Sequence, residues 1–246
     1  MAQRTPPPPQ IAADDETIVV SARLHVPGDP LETVNVKSFE VVQSVDRSVV
    51  APLARTYRHV PHPMRSGFRN FLNNLREPVT FVNFLLQIKP GRALKTVGRA
   101  AINSSIGVAG LFDIAKRRPF NLPRDPNGFA NTLGYYGVKA GPFLFLPLIG
   151  PTTVRDLLGG NVDRLMLPLA VGRPFGRPVY AIPVGVLSAL DQRLENDEKL
   201  RVLHADSSDP YVATREAYLT SREAEIQALH EKRRGKDRSL PGAVDP

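Results

Sequence analysis

Proline is the feature that most constrains the fold of this chain, because it occupies 24 of the 246 positions. A proline removes a backbone N–H and interrupts helices and sheets, so long uninterrupted elements have few places to form. Between its charged residues the chain has charge-free runs of 11 to 15 residues, the longest being Ala140–Val154. A membrane-spanning helix needs about 20 mainly apolar residues. These runs therefore predict buried core helices, or helices lying within one face of a membrane, rather than spanning helices.

The two ends of the chain differ from its middle. Residues 1–27 include four consecutive prolines and predict an extended, unstructured lead-in. Residues 28–232 hold the apolar segments with helical spacing, and we expect them to form one helical domain. Residues 233–246 predict a flexible, charged tail. The length of the middle part is sufficient for a sizeable core.

Three consecutive segments in the first half carry the spacing of helices. In Met64–Glu77 apolar residues recur at i, i+3, i+4 and i+7, and Pro78 is expected to end that helix. Val79–Ile88 is apolar around most of its circumference, as in a helix that lies deep in a core or faces lipid. Pro90 then opens a helix with a basic face. The polar stripe of the second segment consists of Thr80, Asn83 and Gln87.

The second half is interrupted more often. Residues 128–160 include seven glycines and three prolines, which predicts short pieces joined by tight turns. The apolar segments 165–171 and 179–190 each contain a proline and are expected to break there. Asp209-Pro210 predicts the start of the final helix, and we expect Tyr211 to help face that helix inward.

The chain is basic, with 32 Lys and Arg residues against 24 Asp and Glu residues. The excess lies in residues 47–118, which hold 13 basic and two acidic residues. Amphipathic helices with basic polar faces are attracted to anionic membrane surfaces, whereas an ordinary solvated face is the alternative. Aromatic residues make up only 7% and include no Trp, and the phenylalanines lie on apolar helix faces. We therefore do not expect a nucleic-acid partner.

The sequence contains no pattern typical of catalysis. It has no cysteine, which excludes disulfides and thiolate chemistry, and it lacks phosphate-loop, nucleophile-elbow and zinc-helix motifs. His59 and His62 flank a proline in what reads as a surface turn. Asp113 and the pair Arg155-Asp156 are more typical of caps and structural ion pairs than of catalytic groups. We therefore expect neither an enzyme nor a bound cofactor or metal ion.

Several blocks of residues between Asp29 and Tyr218 follow the order of one known family. The blocks are Asp29-Pro30-Leu31-Glu32; Asn70-Phe71-Leu72-x-Asn74-Leu75-x-x-Pro78; Val82-Asn83-x-Leu85-Leu86-Gln87; Asn103 with Gly107-x-x-Gly110-Leu111-Phe112-Asp113-x-Ala115; Thr132-Leu133-Gly134-x-x-Gly137-Val138-x-x-Gly141-Pro142-Phe143-x-x-Leu146-Pro147-x-x-Gly150-Pro151-x-x-x-Arg155-Asp156; Ser207-Ser208-Asp209-Pro210-Tyr211; and Arg215-x-x-Tyr218. By these blocks the chain resembles the MlaA (VacJ) family of outer-membrane lipoproteins from Gram-negative bacteria.

The resemblance implies an all-α, ring-like arrangement of short amphipathic and apolar helices around a central amphipathic channel, embedded in the inner leaflet of the outer membrane on its periplasmic face. It implies transport without a cofactor: phospholipids misplaced in the outer leaflet are removed and passed to a soluble periplasmic carrier, which maintains lipid asymmetry. A trimeric porin is the implied neighbour. A membrane-surface scaffold that tethers the porin or the carrier without conducting lipid is the alternative, and a lipid hydrolase with an unrecognised site is a third possibility.

A lipid path needs polar side chains for the headgroup beside apolar walls for the tails, so polar residues in apolar surroundings are its candidates. The lipid-path candidates are Thr80, Asn83, Gln87, Asn103, Asp113, Arg155 and Asp156. Capping or pairing inside the helical body is the alternative role for each. Candidate glycines for turns or a flexible element near the channel are Gly134, Gly137, Gly141 and Gly150, with tight packing as the alternative.

Two departures from the family pattern are visible. Members of the family carry a lipidated cysteine after the signal peptide, and this chain has none. Either a processed form has lost it or this member is held without a lipid anchor. The family's Gly-Phe-Asn-Arg after Asp-Pro-Leu-Glu is here Thr33-Val34-Asn35-Val36, which keeps only Asn35. The contacts made by that segment are therefore expected to change, except at Asn35.

Overall fold

A computed structural model of the protein describes residues 28–147, 149–172, 177–205 and 207–230. Most of these residues are helical, which confirms the predicted all-α class. The exception is one short antiparallel hairpin of two strands. The predicted lead-in, 1–27, and the predicted tail, 233–246, lie outside the described residues.

The helices follow one another closely, and a π-helical turn at Asp46–Val50 joins the first two without a break. The helices are α1 (Glu32–Val45), α2 (Ala51–Tyr57), α3 (His62–Leu75), α4 (Glu77–Leu86), α5 (Pro90–Ser105), α6 (Phe129–Tyr135), α7 (Val154–Val171), α8 (Pro178–Glu195), α9 (Asp197–Ala205) and α10 (Pro210–His230). The strands are β1 (Phe143–Leu146) and β2 (Gly150–Thr153). Among the described helices, none combines the length and apolar character needed to cross a bilayer.

Pro78 opens a helix instead of ending one. Helix α3 stops at Leu75, and Pro78 lies in the first turn of α4, which begins at Glu77. In a first turn the backbone N–H groups have no helical partner, so the missing N–H of proline costs nothing there. The prediction that Pro78 terminates the preceding helix is therefore wrong. Pro90 opens α5 as expected.

The predicted breaks in the second half are also wrong, because α7 and α8 continue through Pro168 and Pro183. Both prolines lie inside their helices beyond the first turn, so each removes one backbone hydrogen bond that the rest of the helix and its packing outweigh. Helix α7 also begins inside the glycine-rich segment 128–160, for which only short pieces were expected. Its Gly159 allows close packing on α6, since a Cβ there would lie 2.3 Å from the backbone nitrogen of Ala130. Tertiary packing thus outweighs the local tendency of these residues.

One part of the molecule has an ordinary apolar interior. We call it the aromatic core, and it consists of Phe39 from α1, Phe143 and Phe145 from β1, and Tyr211 from α10. The rings of Phe39 and Phe145 meet edge to face with their centroids 5.2 Å apart. Tyr211 is fully buried and its hydroxyl donates to the carboxylate of Asp29, so the predicted inward face of α10 is confirmed.

Asn35 attaches the hairpin to α1. Its side-chain amide donates to the carbonyl of Phe143 at 3.0 Å, and its oxygen accepts the N–H of Phe145 at 2.9 Å. The same amide donates to Asp29 at 3.0 Å. Asn35 is the residue of its segment that matches the family pattern, and these contacts supply a physical reason, because no other side chain of its size both donates and accepts here.

Helices α4 and α5 differ, because they bury polar side chains beside the apolar Val79, Phe84 and Ala93 and leave other apolar side chains exposed. We call the buried polar group the polar core; it consists of Thr80, Asn83, Gln87, Arg99 and Asn103. Asn83 is 0% exposed and Arg99 is 4% exposed, whereas Leu94 is 72% and Ile88 is 80% exposed. The polar stripe predicted on Val79–Ile88 is therefore the buried side of its helix.

Candidate functional site

The polar side chains of α4 form a continuous hydrogen-bonded network with α6 and α7. Gln87 donates to the side-chain oxygen of Asn127 at 3.1 Å and to the hydroxyl of Thr132 at 2.9 Å. The hydroxyl of Thr132 donates to Asn83 at 2.7 Å, and the amide of Asn83 donates to Asp163 at 3.3 Å. Buried polar groups are stable only when they are satisfied in this way. The network therefore helps to fix the position of the Asp163 side chain.

Asp163 lies at the edge of a cleft of about 570 Å³ between α4, the loop that precedes α6, α7 and α10. The cleft has apolar as well as charged walls, the apolar ones including Val79, Ala130 and Leu167. Its charged lining residues are Arg76, Arg124, Arg164, Arg222, Asp156, Asp163 and Glu225. This volume lies within the usual range of ligand-binding pockets.

Asp156 is held by several donors on one wall of the cleft. Arg222 contacts both carboxylate oxygens at 3.1 Å, and the hydroxyl of Tyr218 donates at 2.6 Å. Arg155 adds a contact at 3.2 Å, while the hydroxyl of Thr153 caps α7 by accepting the N–H of Asp156. Burial by itself raises the pKa of Asp156, but the bonds from Arg222 and Tyr218 and the guanidinium charges outweigh it and lower that pKa. Asp156 is therefore ionised and neutralised locally.

Asp163 has weaker support. The backbone N–H of Phe129, at the start of α6, contacts its two carboxylate oxygens at 3.0 and 3.1 Å. Burial raises the pKa of Asp163, and the bonds from Phe129 and Asn83 and the charge of Arg76 offset only part of that increase. Its negative charge is thus less stable in the fold than that of Asp156.

A second polar cluster lies outside the cleft lining. Arg99 contacts Glu77 at 3.2 Å and Asp113 at 3.1 Å. Asn103 donates to Asp113 at 3.1 Å and accepts the N–H of Ala115 at 2.9 Å. Burial raises the pKa of Glu77 despite the neighbouring Arg99 charge. The cluster joins α4 and α5 to the segment that follows α5, so its geometry is that of a structural ion network.

The seven lipid-path candidates therefore fall into three places. Thr80 and Asp156 line the cleft. Asn83 and Gln87 do not line the cleft and belong to the hydrogen-bonded network that contacts Asp163, and Arg155 contacts the carboxylate of Asp156. The remaining two, Asn103 and Asp113, belong to the Arg99 cluster. A role in a lipid path stays a prediction for all seven.

The four candidate glycines lie outside the cleft lining. Gly134 supports the packing alternative, because a Cβ there would lie 2.5 Å from the Cδ1 of Ile226. Gly137, Gly141 and Gly150 have φ angles of +84°, +73° and +83°, which place them at turns before and within the hairpin region. A flexible element near a channel stays a prediction.

Most lining residues were not singled out in the sequence, among them Asp163, Arg222 and the three arginines Arg76, Arg124 and Arg164. The three arginines come from the end of α3, from the loop before α6 and from α7, so no local spacing connects them. The exposed pair His59 and His62 lies away from this site, and the described residues contain no cluster of metal-binding side chains.

The relationship of the chain to known proteins rests first on a family comparison. The sequence model described as MlaA lipoprotein matches residues 27–225. The chain belongs to the MlaA family. The match includes α1 to α9, the hairpin and most of α10, so the elements that build the cleft are all within the family region.

Relatives within the MlaA family are similar over most of their length. The intermembrane phospholipid transport system lipoprotein MlaA of Escherichia coli K12 is 36% identical over 193 residues, which are 77% of this chain and 75% of the relative. The protein of the same name from Haemophilus influenzae is 35% identical over 212 residues, which are 84% of this chain and 81% of the relative. A solved structure described as "Structural basis for maintenance of bacterial outer membrane lipid asymmetry" has a TM-score of 0.71 at 34% identity, covering 80% of this chain and 98% of that chain.

Proposed function

We propose that this protein is the outer-membrane component of an intermembrane phospholipid transport system in a Gram-negative cell. It removes phospholipids misplaced in the outer leaflet, leads them through the cleft and passes them to a soluble periplasmic carrier, and so maintains lipid asymmetry. Relatives that share about a third of the sequence carry the name of such a system. The observation that carries the proposal is a charged cleft enclosed by helices whose outer surfaces are apolar.

The outer surfaces favour a position within one leaflet, on the periplasmic side of the outer membrane. On α4 and α5 the exposed apolar side chains are Leu85, Leu86, Leu94 and Val97. On α7 and α8 they are Leu158, Leu165, Val179, Ile182 and Val186. Each square ångström of such surface gains about 25 cal/mol when it leaves water. Hydrocarbon on these faces would thus complete the burial that the fold leaves unfinished.

The cleft favours conduction of lipid over a scaffold role. A scaffold that only tethers a trimeric porin or the carrier needs contact surfaces and has no use for an internal charged cavity. A channel needs charged groups for the headgroup beside apolar walls for the tails, and the cleft has both. The porin and the carrier enter this proposal through the family resemblance.

Gly160 provides the sharpest test, because it lines the cleft and a Cβ built on it meets no atom within 4 Å. Gly160→Phe should fill the cleft without a backbone clash. Gly185 is the matched control: it lies in α8, outside the cleft lining, and also has no neighbour within 4 Å. Each variant is purified gently from outer membranes, and bound phospholipid and co-purifying proteins are measured by mass spectrometry.

We expect Gly160→Phe to lose most of its bound phospholipid and its ability to deliver lipid to the carrier, with membrane association kept. Gly185→Phe should retain its bound phospholipid and its delivery of lipid to the carrier. If Gly160→Phe keeps normal lipid and normal transfer, the scaffold alternative is correct. Release of free fatty acid or lysolipid by the wild-type protein would instead indicate a hydrolase.

A further inference from the structure

The charges that line the cleft are unequally paired. All three carboxylates have partners: Asp156 binds Arg222, Glu225 binds Arg222 as well, and Asp163 accepts the N–H of Phe129. The other three arginines, Arg76, Arg124 and Arg164, form no ion pair with any carboxylate in the described part of the chain. The cleft therefore presents three guanidinium groups without an ion-pair partner in the described part of the chain, beside one carboxylate, Asp163, that has none there either.

Arg124 is the least exposed of these three arginines. Burial lowers its pKa; the charge of Glu77 opposes that shift, Arg76 and Arg99 add to it, and Asp113 opposes it. Glu77 is committed to Arg99 at 3.2 Å, so it does not serve as a direct partner for Arg124. Arg76 and Arg164 are exposed at the cleft and Arg124 is half-buried, so their guanidinium donors are accessible to an anion that enters the cleft.

An apolar slot adjoins the arginines. It has a volume of about 80 Å³ and lies between α3, α7 and α8. Leu72, Leu75, Ala181 and Val184 are among its walls. Two residues, Arg76 and Leu167, line both the slot and the cleft. A ligand with an anionic group beside the arginines can therefore extend a hydrocarbon chain directly into the slot.

We propose that Arg76, Arg124 and Arg164 form a phosphate-binding subsite, and that the slot receives the first part of an acyl chain of the same ligand. Guanidinium groups suit phosphate because their planar donors pair with its oxygens. Asp156 and Glu225 are already paired with Arg222, so an amine or choline would meet Asp163 against three arginines, and the site favours glycerophospholipids with a net negative headgroup over zwitterionic ones. The assignment of this ligand as the transported lipid rests on the proposed function.

The test uses the full-length protein and four soluble probes: dihexanoyl-phosphatidylglycerol, dihexanoyl-phosphatidylcholine, dihexanoylglycerol and inorganic phosphate. Affinities are measured by titration calorimetry for the wild type and for an Arg76→Gln/Arg124→Gln double variant. Arg117→Gln is the control, because Arg117 is exposed and lies outside the cleft lining. Thermal unfolding of each variant verifies that it is folded. If the double variant does not fold, Arg164→Gln takes its place.

We expect the wild type to bind phosphatidylglycerol at least tenfold more tightly than phosphatidylcholine, and far more tightly than dihexanoylglycerol. The double variant should bind phosphatidylglycerol at least tenfold more weakly than the wild type, and Arg117→Gln should bind it with unchanged affinity. Equal binding of dihexanoylglycerol and phosphatidylglycerol overturns the phosphate subsite. Equal binding of inorganic phosphate and phosphatidylglycerol identifies a free-phosphate site and overturns the lipid assignment.

A separate variant tests the slot. Ala181→Phe should fill the slot and lower the affinity for dihexanoyl-phosphatidylglycerol at least fivefold, whereas the affinity for glycerophosphoglycerol, which has no acyl chain, should not change. Gly185→Phe, one turn along α8, is the control. Unchanged lipid binding by Ala181→Phe overturns the slot. Failure of the proposed function is distinguishable, because the wild type purified from membranes would then carry no phospholipid of any headgroup.

Discussion

The aromatic core, which joins α1 and α10 to the hairpin, and the polar core, which lies on α4 and α5, differ in the kind of side chain that they bury. In the aromatic core, Phe39 packs against Phe145 and Tyr211, and apolar groups are removed from water. In the polar core, Asn83 and Arg99 are buried while apolar side chains of the same helices face outward. The helices of this protein thus bury different kinds of side chain, and the contacts available to each helix decide which kind.

The two regions also depend on different forces. The aromatic core is stabilised by burial of apolar surface and by edge-to-face ring contacts. The polar core is stabilised by the completeness of its hydrogen bonds, since each buried polar group without a partner is unfavourable by about 1–3 kcal/mol. Removing one member should therefore be most damaging where the remaining partners are charged.

The largest effect is expected from Arg99→Met. The change leaves Glu77 and Asp113 without their shared guanidinium partner in a buried site. We expect the free energy of unfolding to fall by about 3–5 kcal/mol, the usual loss when one partner of a buried ion pair is removed. Urea unfolding followed by circular dichroism measures it. Arg92→Met on the same helix is the control, and a loss below about 1 kcal/mol is expected there because its pair with Asp125 is exposed. Similar losses for both variants would contradict the structural importance of the Arg99 cluster.

A somewhat smaller effect is expected from Phe39→Ala in the aromatic core. Phe39 is 7% exposed, and truncation leaves a cavity beside Phe145 and Tyr211. We expect a loss of about 3 kcal/mol in the same urea assay. Phe120→Ala, at a ring that is 37% exposed, should change stability by less than about 0.5 kcal/mol. A negligible loss at Phe39 would mean that the aromatic ring contacts do not form a core.

Substitution of the outward-facing apolar residues should separate stability from membrane binding. Leu94→Ser and Ile88→Ser each remove apolar surface that the fold leaves exposed. We expect the free energy of unfolding in water to change by less than about 0.5 kcal/mol. Binding to phosphatidylcholine vesicles, measured by flotation, should weaken about tenfold per substitution. Exposed Lys95→Ser on α5 is the control on these uncharged vesicles. Unchanged flotation of all three variants would contradict a lipid-facing surface.

The smallest effects are expected from pH, and the two cleft carboxylates should respond with opposite sign. Burial raises the pKa of Asp163, so its ionised form destabilises the fold at neutral pH, and that loss is relieved as pH falls through the raised pKa towards the ordinary value of 3.8. Asp163→Asn should therefore be more stable than the wild type at neutral pH, and the difference should close in that window. Urea unfolding at a series of pH values measures it.

Asp156 provides the contrast. Its lowered pKa means that its ionised form stabilises the fold above the ordinary value of 3.8, and this contribution is lost as pH falls through the lowered pKa. Asp156→Asn should therefore be less stable than the wild type at neutral pH, and the difference should close only below 3.8. The same pH dependence for both variants would contradict the different environments of the two carboxylates.

The helical class, the starts of α5 and α10 and the inward side of α10 could be predicted because they depend on local spacing and capping. Pro78 was misread because it lies in the first turn of the next helix, and Pro168 and Pro183 were misread because the rest of α7 and α8 outweighs the one hydrogen bond that each proline removes. The polar stripe of Thr80, Asn83 and Gln87 was recognised, but its direction was open between core and lipid.

The candidate site was found only in part. Thr80 and Asp156 were named and line the cleft, but its three unpaired arginines were not, because Arg76, Arg124 and Arg164 belong to separate elements and share no motif. The family blocks pointed to the right protein family, since they are local patterns that a single chain displays.

The sequence by itself determined the helical class, the starts of α5 and α10 and which side chains share a face, because these depend on neighbours within one or two turns. Only the tertiary structure decided how long α7 and α8 are and which face of α4 and α5 is inside. That choice depends on groups that meet only in the folded chain, such as Asn83 with Thr132 and Arg99 with Asp113, whose mutual hydrogen bonds make a polar interior stable while apolar side chains of the same helices stay exposed.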